Sequence, residues 1–572
     1  MRIKFISAII SALFIILCLA LGYTQIFRNK KYLALSQNNR IRLVPIAGQR
    51  GIISDRNGTL LVDNRPSFDV VAIPQELKNS FGALSRLSKI LGLETRETIK
   101  LLERNYIAPF APVVIKEDIS KEKAIILEDE ALNLPGVMVK VRPKREYRTK
   151  EIGSHIFGYL GEIDKRELER LTGYGYQIRD LVGKAGLEKN YGNYLKGEEG
   201  GMQLEVNNKG FFVKALGKKE ATVGRNLVLT IDIELQSFIE NLFSDRNGVC
   251  IVMEPNTGEI LALVSNPGFD PNVFLSPEKN KERKALLSRP DHPMFNRAIS
   301  GLYPPGSVFK PVVAAAALEK KKIKLKDTFF CGGTYKLGGR EFKCWDEEGH
   351  GNQDVREGLK NSCNILFYQL GRLVGVDDIF AFATKFGYGV PSGIDLLEEA
   401  SGLVPNRSWK RLTKNQIWFE GDTVNYSIGQ GYILVTPIQV LRMMAAISSG
   451  GNLVQPYIVK KIEGVEIATS KSYNIGISKE TLDIIKTGLK KVVEDKGGTG
   501  RRAGVEGLSI AGKTGTAQNP RGLSHAWFSG FSPIETPKVV LVTFIEHGGK
   551  GGVEAAEFSG KVFAKAKEIG LL

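Results

Sequence analysis

Serine and lysine stand three positions apart in Ser307-Val308-Phe309-Lys310, a spacing that puts both side chains on one face of a helix. A serine hydroxyl is a poor nucleophile until a base takes its proton. A lysine whose ammonium is destabilised by burial or by a second cation can be that base. Gly306 reads as the end of a turn, and the Ala-rich run 311–318 as helix. Ser307 therefore falls near a helix N-terminus, where backbone N–H groups favour developing negative charge.

Two further motifs follow in the chain. Ser362-Cys363-Asn364 brings a hydroxyl and a carboxamide on either side of a thiol. Lys513-Thr514-Gly515-Thr516 reads as an edge strand in which Gly515 lets a bound backbone come close. Lys513 and the hydroxyls of Thr514 and Thr516 offer donors to a carboxylate. Each motif alone is short enough to arise by chance. Their combination in this order is much more specific than any one of them. Lys310, Ser362, Asn364 and Lys513 are the candidate catalytic partners, and Thr514, Gly515 and Thr516 the candidate substrate-binding residues.

Three of the five cysteines bracket one histidine, in the spacing Cys331-x12-Cys344-x5-His350-x12-Cys363. Three thiols and an imidazole match a closed tetrahedral zinc site, although the spacing is not that of a standard finger. Asp346 is the alternative ligand. A disulfide is the competing reading in an oxidising compartment, but three cysteines leave one unpaired. Cys18, in an apolar N-terminal run, and Cys250, in an apolar strand, read as small core residues.

The elements that must position these groups are legible in outline. The segment 50–58 reads as a strand entering an Asn-Gly turn, with 59–62 as its hairpin partner. Helical patterns cover 84–105 and 119–130, and small residues at 183–188 open another helix. Near residue 225 the texture changes. A short strand at 226–231, a helix from Ile233 and a hairpin of 248–255 with 258–264 lead into mostly helical sequence. The strand pair 525–531 and 538–544 closes the chain. Strands first and last with helices between predict an α+β domain, one antiparallel sheet flanked by helices.

Residues 5–27 contain no charge, and as a helix they would extend about 34 Å, enough to span a bilayer. The apolar run is longer than the core of a cleaved signal and lacks a clean small-residue cleavage site, so it reads as a signal anchor. Basic residues flank it on both sides and leave the orientation unfixed. The simplest topology has a cytoplasmic tail of residues 1–4, an anchor at 5–27, a mixed domain at 28–225 and a catalytic domain at 226–572. The net charge of +17 suits an anionic membrane face or wall polymer. Nucleic acid is not expected, since no zinc-finger pattern, RNP-like pattern or long basic block is present.

The ordered serine-lysine, Ser-x-Asn and Lys-Thr-Gly set resembles that of the penicillin-binding proteins and serine β-lactamases. The chain as a whole resembles the class B penicillin-binding proteins, and among them the penicillin-binding protein 2 branch of the cell-elongation machinery. The N-terminal half carries Arg50-Gly51, Asp55-Arg56-Asn57-Gly58, His155-Ile156-Phe157-Gly158-Tyr159-Leu160-Gly161 and Gly183-Lys184-Ala185-Gly186-Leu187-Glu188. The C-terminal half carries Asn296-Arg297-Ala298, Tyr303-Pro304-Pro305-Gly306-Ser307, Gly429-Gln430-Gly431, Thr436-Pro437, Lys513-Thr514-Gly515-Thr516-Ala517 and His525-Ala526-Trp527-Phe528. The resemblance implies a single-pass inner-membrane protein with an elongated mixed α/β pedestal and an exported penicillin-binding transpeptidase domain.

It also implies roles. Lys310 would deprotonate Ser307, which attacks the penultimate D-alanine carbonyl of a peptidoglycan stem peptide. Backbone N–H groups of Ser307 and Thr516 would form the oxyanion hole. Ser362 and Lys513 would relay a proton to the leaving D-alanine, and Asn364 would orient Lys310 and the substrate amide. Thr514 and Thr516 would hold the terminal carboxylate, and β-lactams would bind as donor mimics. Members of this branch can bind zinc through the middle residue of Ser-x-Asn, here Cys363. The expected partners are the membrane, a SEDS glycosyltransferase (RodA-like) and an elongation scaffold (MreC-like). The rival readings are a division-specific class B enzyme, a D,D-carboxypeptidase or β-lactamase, and a non-catalytic β-lactam sensor or scaffold.

Overall fold

The computed structural model describes residues 2–32, 41–78, 80–104, 106, 112–176, 178, 180–206, 212–467, 471–519 and 522–572. The N-terminal helix Arg2–Gly22 runs into a π-helical turn, Tyr23–Phe27. The segment Ile3–Phe27 reaches a mean hydropathy of 2.7 in a stretch none of whose residues is buried in the protein. An apolar helix that finds no protein core suits a lipid environment.

The chain forms two compact units that do not follow sequence order. One gathers Met1–Gly51, Asn64–Arg145 and Lys196–Gly224; the other gathers Ile52–Asp63, Glu146–Leu195 and Arg225–Leu572. The linear boundary drawn at 225/226 marks where the last segment of the second unit begins. It does not capture the two earlier excursions into that unit. Short chain returns of this kind carry no compositional signature, because their core contacts lie far away in sequence.

In the first unit, Val113–Ile119 pairs antiparallel with the later part of the long strand Leu60–Ala72. The stretch read as helical over 84–105 is two helices, Phe81–Leu91, which starts three residues earlier and is capped by Gly92 at φ 70°, and Thr95–Arg104, while Lys121–Asp129 lies within 119–130. Val70, Ala72, Leu87, Leu91, Ile115 and Leu127 share a small core there. A separate three-stranded sheet joins Gly200–Val206 to Ile41–Ile46 on one side and Phe212–Lys219 on the other.

The second unit contains the expected hairpin of 50–62: Ile53–Ser54 pairs with the start of Leu60–Ala72, and Asp55 closes the turn by accepting from the Asn57 and Thr59 amides. Its main feature is a five-stranded antiparallel sheet. The spatial order is Ile260–Asn266, Gly248–Met253, Val539–Ile545, His525–Ser532 and Ala511–Ala517. Successive side chains alternate between its faces. Val249, Ile251, Trp527, Val540, Val542 and Phe544 enter one core, while Cys250, Val252, Phe528, Leu541 and Ile545 enter another. Both faces are covered, which explains strands written as near-continuous apolar runs. Helices Ile233–Phe243 and Glu554–Glu568 build the second core, and Lys310–Glu319, Asn364–Val374 and Pro437–Ser448 build the first. The α+β expectation for this domain is met, with Ala511–Ala517 left as the sheet edge.

Candidate active site

Ser307 lies in a 3-10 turn, Gly306–Phe309, that feeds the α-helix Lys310–Glu319. An α-helical start was expected. The tighter turn has three residues per turn, so Lys310, three positions on, opens the α-helix one turn after Ser307. The turn is held on two sides by close backbone packing. Gly306 has φ 57°, and a Cβ there would sit 2.9 Å from the Thr516 carbonyl oxygen. A Cβ at Gly429 would sit 2.1 Å from the Gly306 carbonyl oxygen, and the Gly306 amide donates to the Gly429 carbonyl at 2.9 Å. Upstream, Trp527 Nε1 donates to the Pro304 carbonyl and Tyr303 Oη to Glu546. These contacts fix the approach to the nucleophile and set its turn against the edge strand.

Lys310 is fully buried at the base of this turn. Its Nζ donates to the Ser362 carbonyl at 2.7 Å, to Asn364 Oδ1 at 2.8 Å and to Ser362 Oγ at 3.3 Å, and it lies over the Phe367 ring. Burial pushes its pKa down to about 8, against an opposing pull from the Cys363 and Cys344 thiols. Lys513 is also fully buried, and burial first, then the Lys310 charge, holds its pKa well below the usual lysine range. A lysine depressed in this way has the property that a base for Ser307 would need.

The Ser-x-Asn segment is a bent turn between two helices. Val355–Lys360 ends before it, Ser362 takes φ 52°, and Cys363 caps Asn364–Val374 by accepting the Leu366 amide on Sγ. This backbone turns Ser362 and Asn364 toward Lys310, while Cys363 joins the cysteine cluster. The Lys513 partner is different from the expected one. Its Nζ donates to the Thr514 carbonyl at 3.1 Å, and Ser362 Oγ is engaged by Lys310 instead. Gly515 lies against Trp527, Pro305 and Val308, where a Cβ would be 3.0–3.1 Å from each. Thr516 faces solvent in the cleft, and its Oγ1 accepts the Gly551 amide at 3.2 Å.

The structure brings the four predicted metal ligands together. One ligand atom from each of Cys331, Cys344, His350 and Cys363 lies within 4.8 Å of all the others. His350 Nδ1 is 3.5 Å from Cys331 Sγ and 3.6 Å from Cys344 Sγ. A tetrahedral zinc with its usual bond lengths needs sulfur–nitrogen edges of about 3.6 Å. The donor set and spacing therefore fit zinc, and the described cysteines are all free of disulfides. Asp346 is not among the converging ligands. Its Oδ2 lies 3.9 Å from His350 Nε2, the other ring nitrogen, beyond hydrogen-bond distance.

Several site residues escaped the sequence reading. Phe367 roofs the Lys310 ammonium, and Tyr426 stacks on Phe309 inside the nucleophile turn at 5.4 Å between ring centres. Helical spacing from Asn364 could have flagged Phe367; nothing in the sequence pairs Tyr426 with Phe309. Gly551 closes on the edge strand, where a Cβ would meet the Gly515 carbonyl at 2.0 Å.

The chain matches the penicillin-binding protein transpeptidase domain over residues 248–565 and the penicillin-binding protein dimerisation domain over 45–229. It is 32% identical to the peptidoglycan D,D-transpeptidase MrdA of Haemophilus influenzae, over 94% of this chain and 87% of that protein. It is 33% identical to the Escherichia coli K12 protein of the same name, over 92% and 88%. Among solved structures it is similar to Helicobacter pylori penicillin-binding protein 2 in complex with MreC. The TM-score is 0.84 at 28% identity, covering 93% of this chain and 99% of that one. A peptidoglycan synthase complex that coordinates polymerisation and cross-linking gives 0.76 at 30% identity, with 98% of each chain covered.

Proposed function

The chain belongs to the penicillin-binding protein family, and from that membership and the geometry around Ser307 we propose that it is a peptidoglycan D,D-transpeptidase of cell elongation. The observation that carries the mechanism is the fully buried Lys310 joined to Ser362 and Asn364. Neutral Lys310 takes the Ser307 proton as Oγ attacks the penultimate D-alanine carbonyl of a donor stem. The oxyanion forms between the Ser307 turn and the edge strand, within reach of the Ser307 and Thr516 amides. The proton passes from Lys310 to Ser362 Oγ, its hydrogen-bonded neighbour, and on to the leaving D-alanine amine. Lys513, fully buried and held well below the usual lysine range by burial and then by the Lys310 charge, shares the proton relay to the leaving amine with Ser362. Thr516, with Thr514 and Gly515 along the same strand, receives the donor's terminal carboxylate. An amine from a second stem then attacks the acyl-enzyme, closes the cross-link and frees Ser307. β-Lactams enter as donor mimics.

Cys331, Cys344, His350 and Cys363 would hold zinc, with Asp346 behind the histidine. Bound there, zinc supplies structural cross-linking and no step of the reaction. Helix Arg2–Gly22 with Tyr23–Phe27 anchors the chain in the inner membrane, with the catalytic unit on the periplasmic side. The similarity to penicillin-binding protein 2 in complex with MreC and to a peptidoglycan synthase complex supports an MreC-like scaffold and a RodA-like glycosyltransferase as partners.

The decisive assay supplies donor and acceptor stems to the full chain reconstituted with its glycosyltransferase partner. Release of D-alanine with a cross-linked product, absent in Ser307→Ala, is the expected result. Release of D-alanine with only trimmed stems would make the protein a carboxypeptidase.

A further inference from the structure

Between helix Lys479–Glu494 and the edge strand lies a short loop, Gly497-Gly498-Thr499-Gly500. It is tightly enclosed. The Gly500 amide donates to the Val492 carbonyl at 2.9 Å, and a Cβ at Gly500 would touch Val492, Phe528 and Thr514. A Cβ at Gly552 would sit 2.4 Å from the Thr499 carbonyl oxygen. Thr499 Oγ1 is thereby placed between two parts of the active site. It is 3.2 Å from the Lys360 carbonyl oxygen, two residues before Ser362, and 3.0 Å from Thr514 Oγ1 on the edge strand.

The direction of this chain follows from counting protons. A carbonyl oxygen only accepts, so Thr499 must donate to Lys360. A hydroxyl has one proton, so the contact with Thr514 requires Thr514 to donate to Thr499. The Thr514 proton is then turned away from the cleft. Thr516 is the opposite case: its Oγ1 accepts from the Gly551 amide, leaving its proton free for a ligand. Thr516 is the standing donor to an incoming carboxylate. Thr514 can donate only if the chain reverses, with its proton turning to the carboxylate and the Thr499 proton turning onto Thr514 Oγ1. That reversal removes the donor from the Lys360 carbonyl.

We infer that Thr499 is a positioning residue that couples carboxylate occupancy at Thr514 to the turn carrying Ser362. The inference rests on the transpeptidase reading and deepens it. The consequence is local: Lys360 is followed by Asn361 and then Ser362, whose φ of 52° and carbonyl contact with Lys310 make it sensitive to how the turn is held.

The test measures acylation by a fluorescent penicillin in the full-length protein, separating the binding constant from the acylation rate constant. Thr499→Val is expected to lower the acylation rate constant about tenfold, the size of one well-placed hydrogen bond, with little loss of binding. Thr499→Ser restores the rate to within about twofold, because the hydroxyl is kept. Thr514→Val added to Thr499→Val costs less than the two single effects combined, because both break one chain. Thr499→Ala follows the same pattern and serves if the valine variant does not fold. An unchanged acylation rate in the hydroxyl-free variants, no rescue by serine, or simple additivity would each overturn the coupling. Wild-type protein that takes no label would instead overturn the transpeptidase reading itself.

Discussion

The Lys310 ammonium lies 2.7 Å from the backbone carbonyl of Ser362, so the helix that starts at the nucleophile and the turn that follows Lys360 are tied by one buried cation. Three acceptors surround that cation, and none is a carboxylate. The lysine is held in place by neutral dipoles that do not fix its charge, which leaves it free to change protonation state.

Replacing this lysine removes the base and the donor that ties the two elements. Lys310→Met should lower the second-order rate of penicillin acylation by about a thousandfold, within the usual range for loss of a general base. The circular dichroism spectrum should keep its native form, while the melting midpoint falls because three acceptors lose their buried donor. An acylation rate within tenfold of wild type would show that another group deprotonates Ser307.

The pH dependence has a definite sign. The active form of Lys310 is neutral, and burial brings its pKa down to about 8. Acylation should rise with pH through the neutral range and level off above about 8, with about a tenth of the protein active at pH 7. Stopped-flow acylation from pH 5.5 to 9.5 measures this. A flat profile, or a rate falling as pH rises through 8, would contradict the assignment of Lys310 as base.

Gly429 tests whether backbone approach sets the nucleophile. With φ 72° and the Gly306 carbonyl beside it, a methyl group has no room. Gly429→Ala should cut acylation at least tenfold by moving the Ser307 turn, since small misplacements at a reacting centre are costly. The unfolding midpoint should fall by less than that of a core truncation. Unchanged acylation kinetics would show that the turn is held by other contacts.

The cysteine cluster should carry metal. Purified protein should contain one equivalent of zinc, and Cys363→Ser should lose it and melt several degrees lower. Chelation should also slow penicillin labelling, because Cys363 caps the helix whose first residue, Asn364, touches Lys310. Near-zero zinc in both proteins would remove the site, and unchanged labelling after chelation would remove the coupling.

A buried lysine outside the site offers a stability test. Lys410 pairs with Asp422 and lies among Phe419, Tyr432 and Trp418, with its Nζ 4.6, 5.5 and 5.9 Å from the ring centres. Lys410→Ala strands the Asp422 carboxylate and should cost about 3 kcal/mol in urea unfolding. A loss below about 1 kcal/mol would mean that the pair and its aromatic surround contribute little.

The sequence was most informative where chemistry is written in contiguous residues. Lys310, Ser362 and Asn364 are joined by hydrogen bonds, Ser307 stands in the turn that feeds the Lys310 helix, and the four metal-type ligands lie together. The strands of the catalytic sheet were legible because their apolar runs are bounded by turn residues. Less was visible where meaning depends on the approach of distant backbone. The 3-10 form of the Ser307 turn follows from packing against Thr516 and Gly429, which no local pattern encodes. Asp346 looked equivalent to its ligand neighbours in sequence, yet the loop geometry sets it behind His350. Thr499 belongs to no motif, and its place is set by Lys360 and Thr514 on either side.

The most direct measurement of the central claim is covalent labelling with a fluorescent penicillin, followed by peptide mass spectrometry of the adduct. Wild-type protein should carry one penicilloyl group on Ser307, and Ser307→Ala should carry none. An adduct on another residue, or undiminished labelling of Ser307→Ala, would contradict the assignment of Ser307 as the acylated nucleophile.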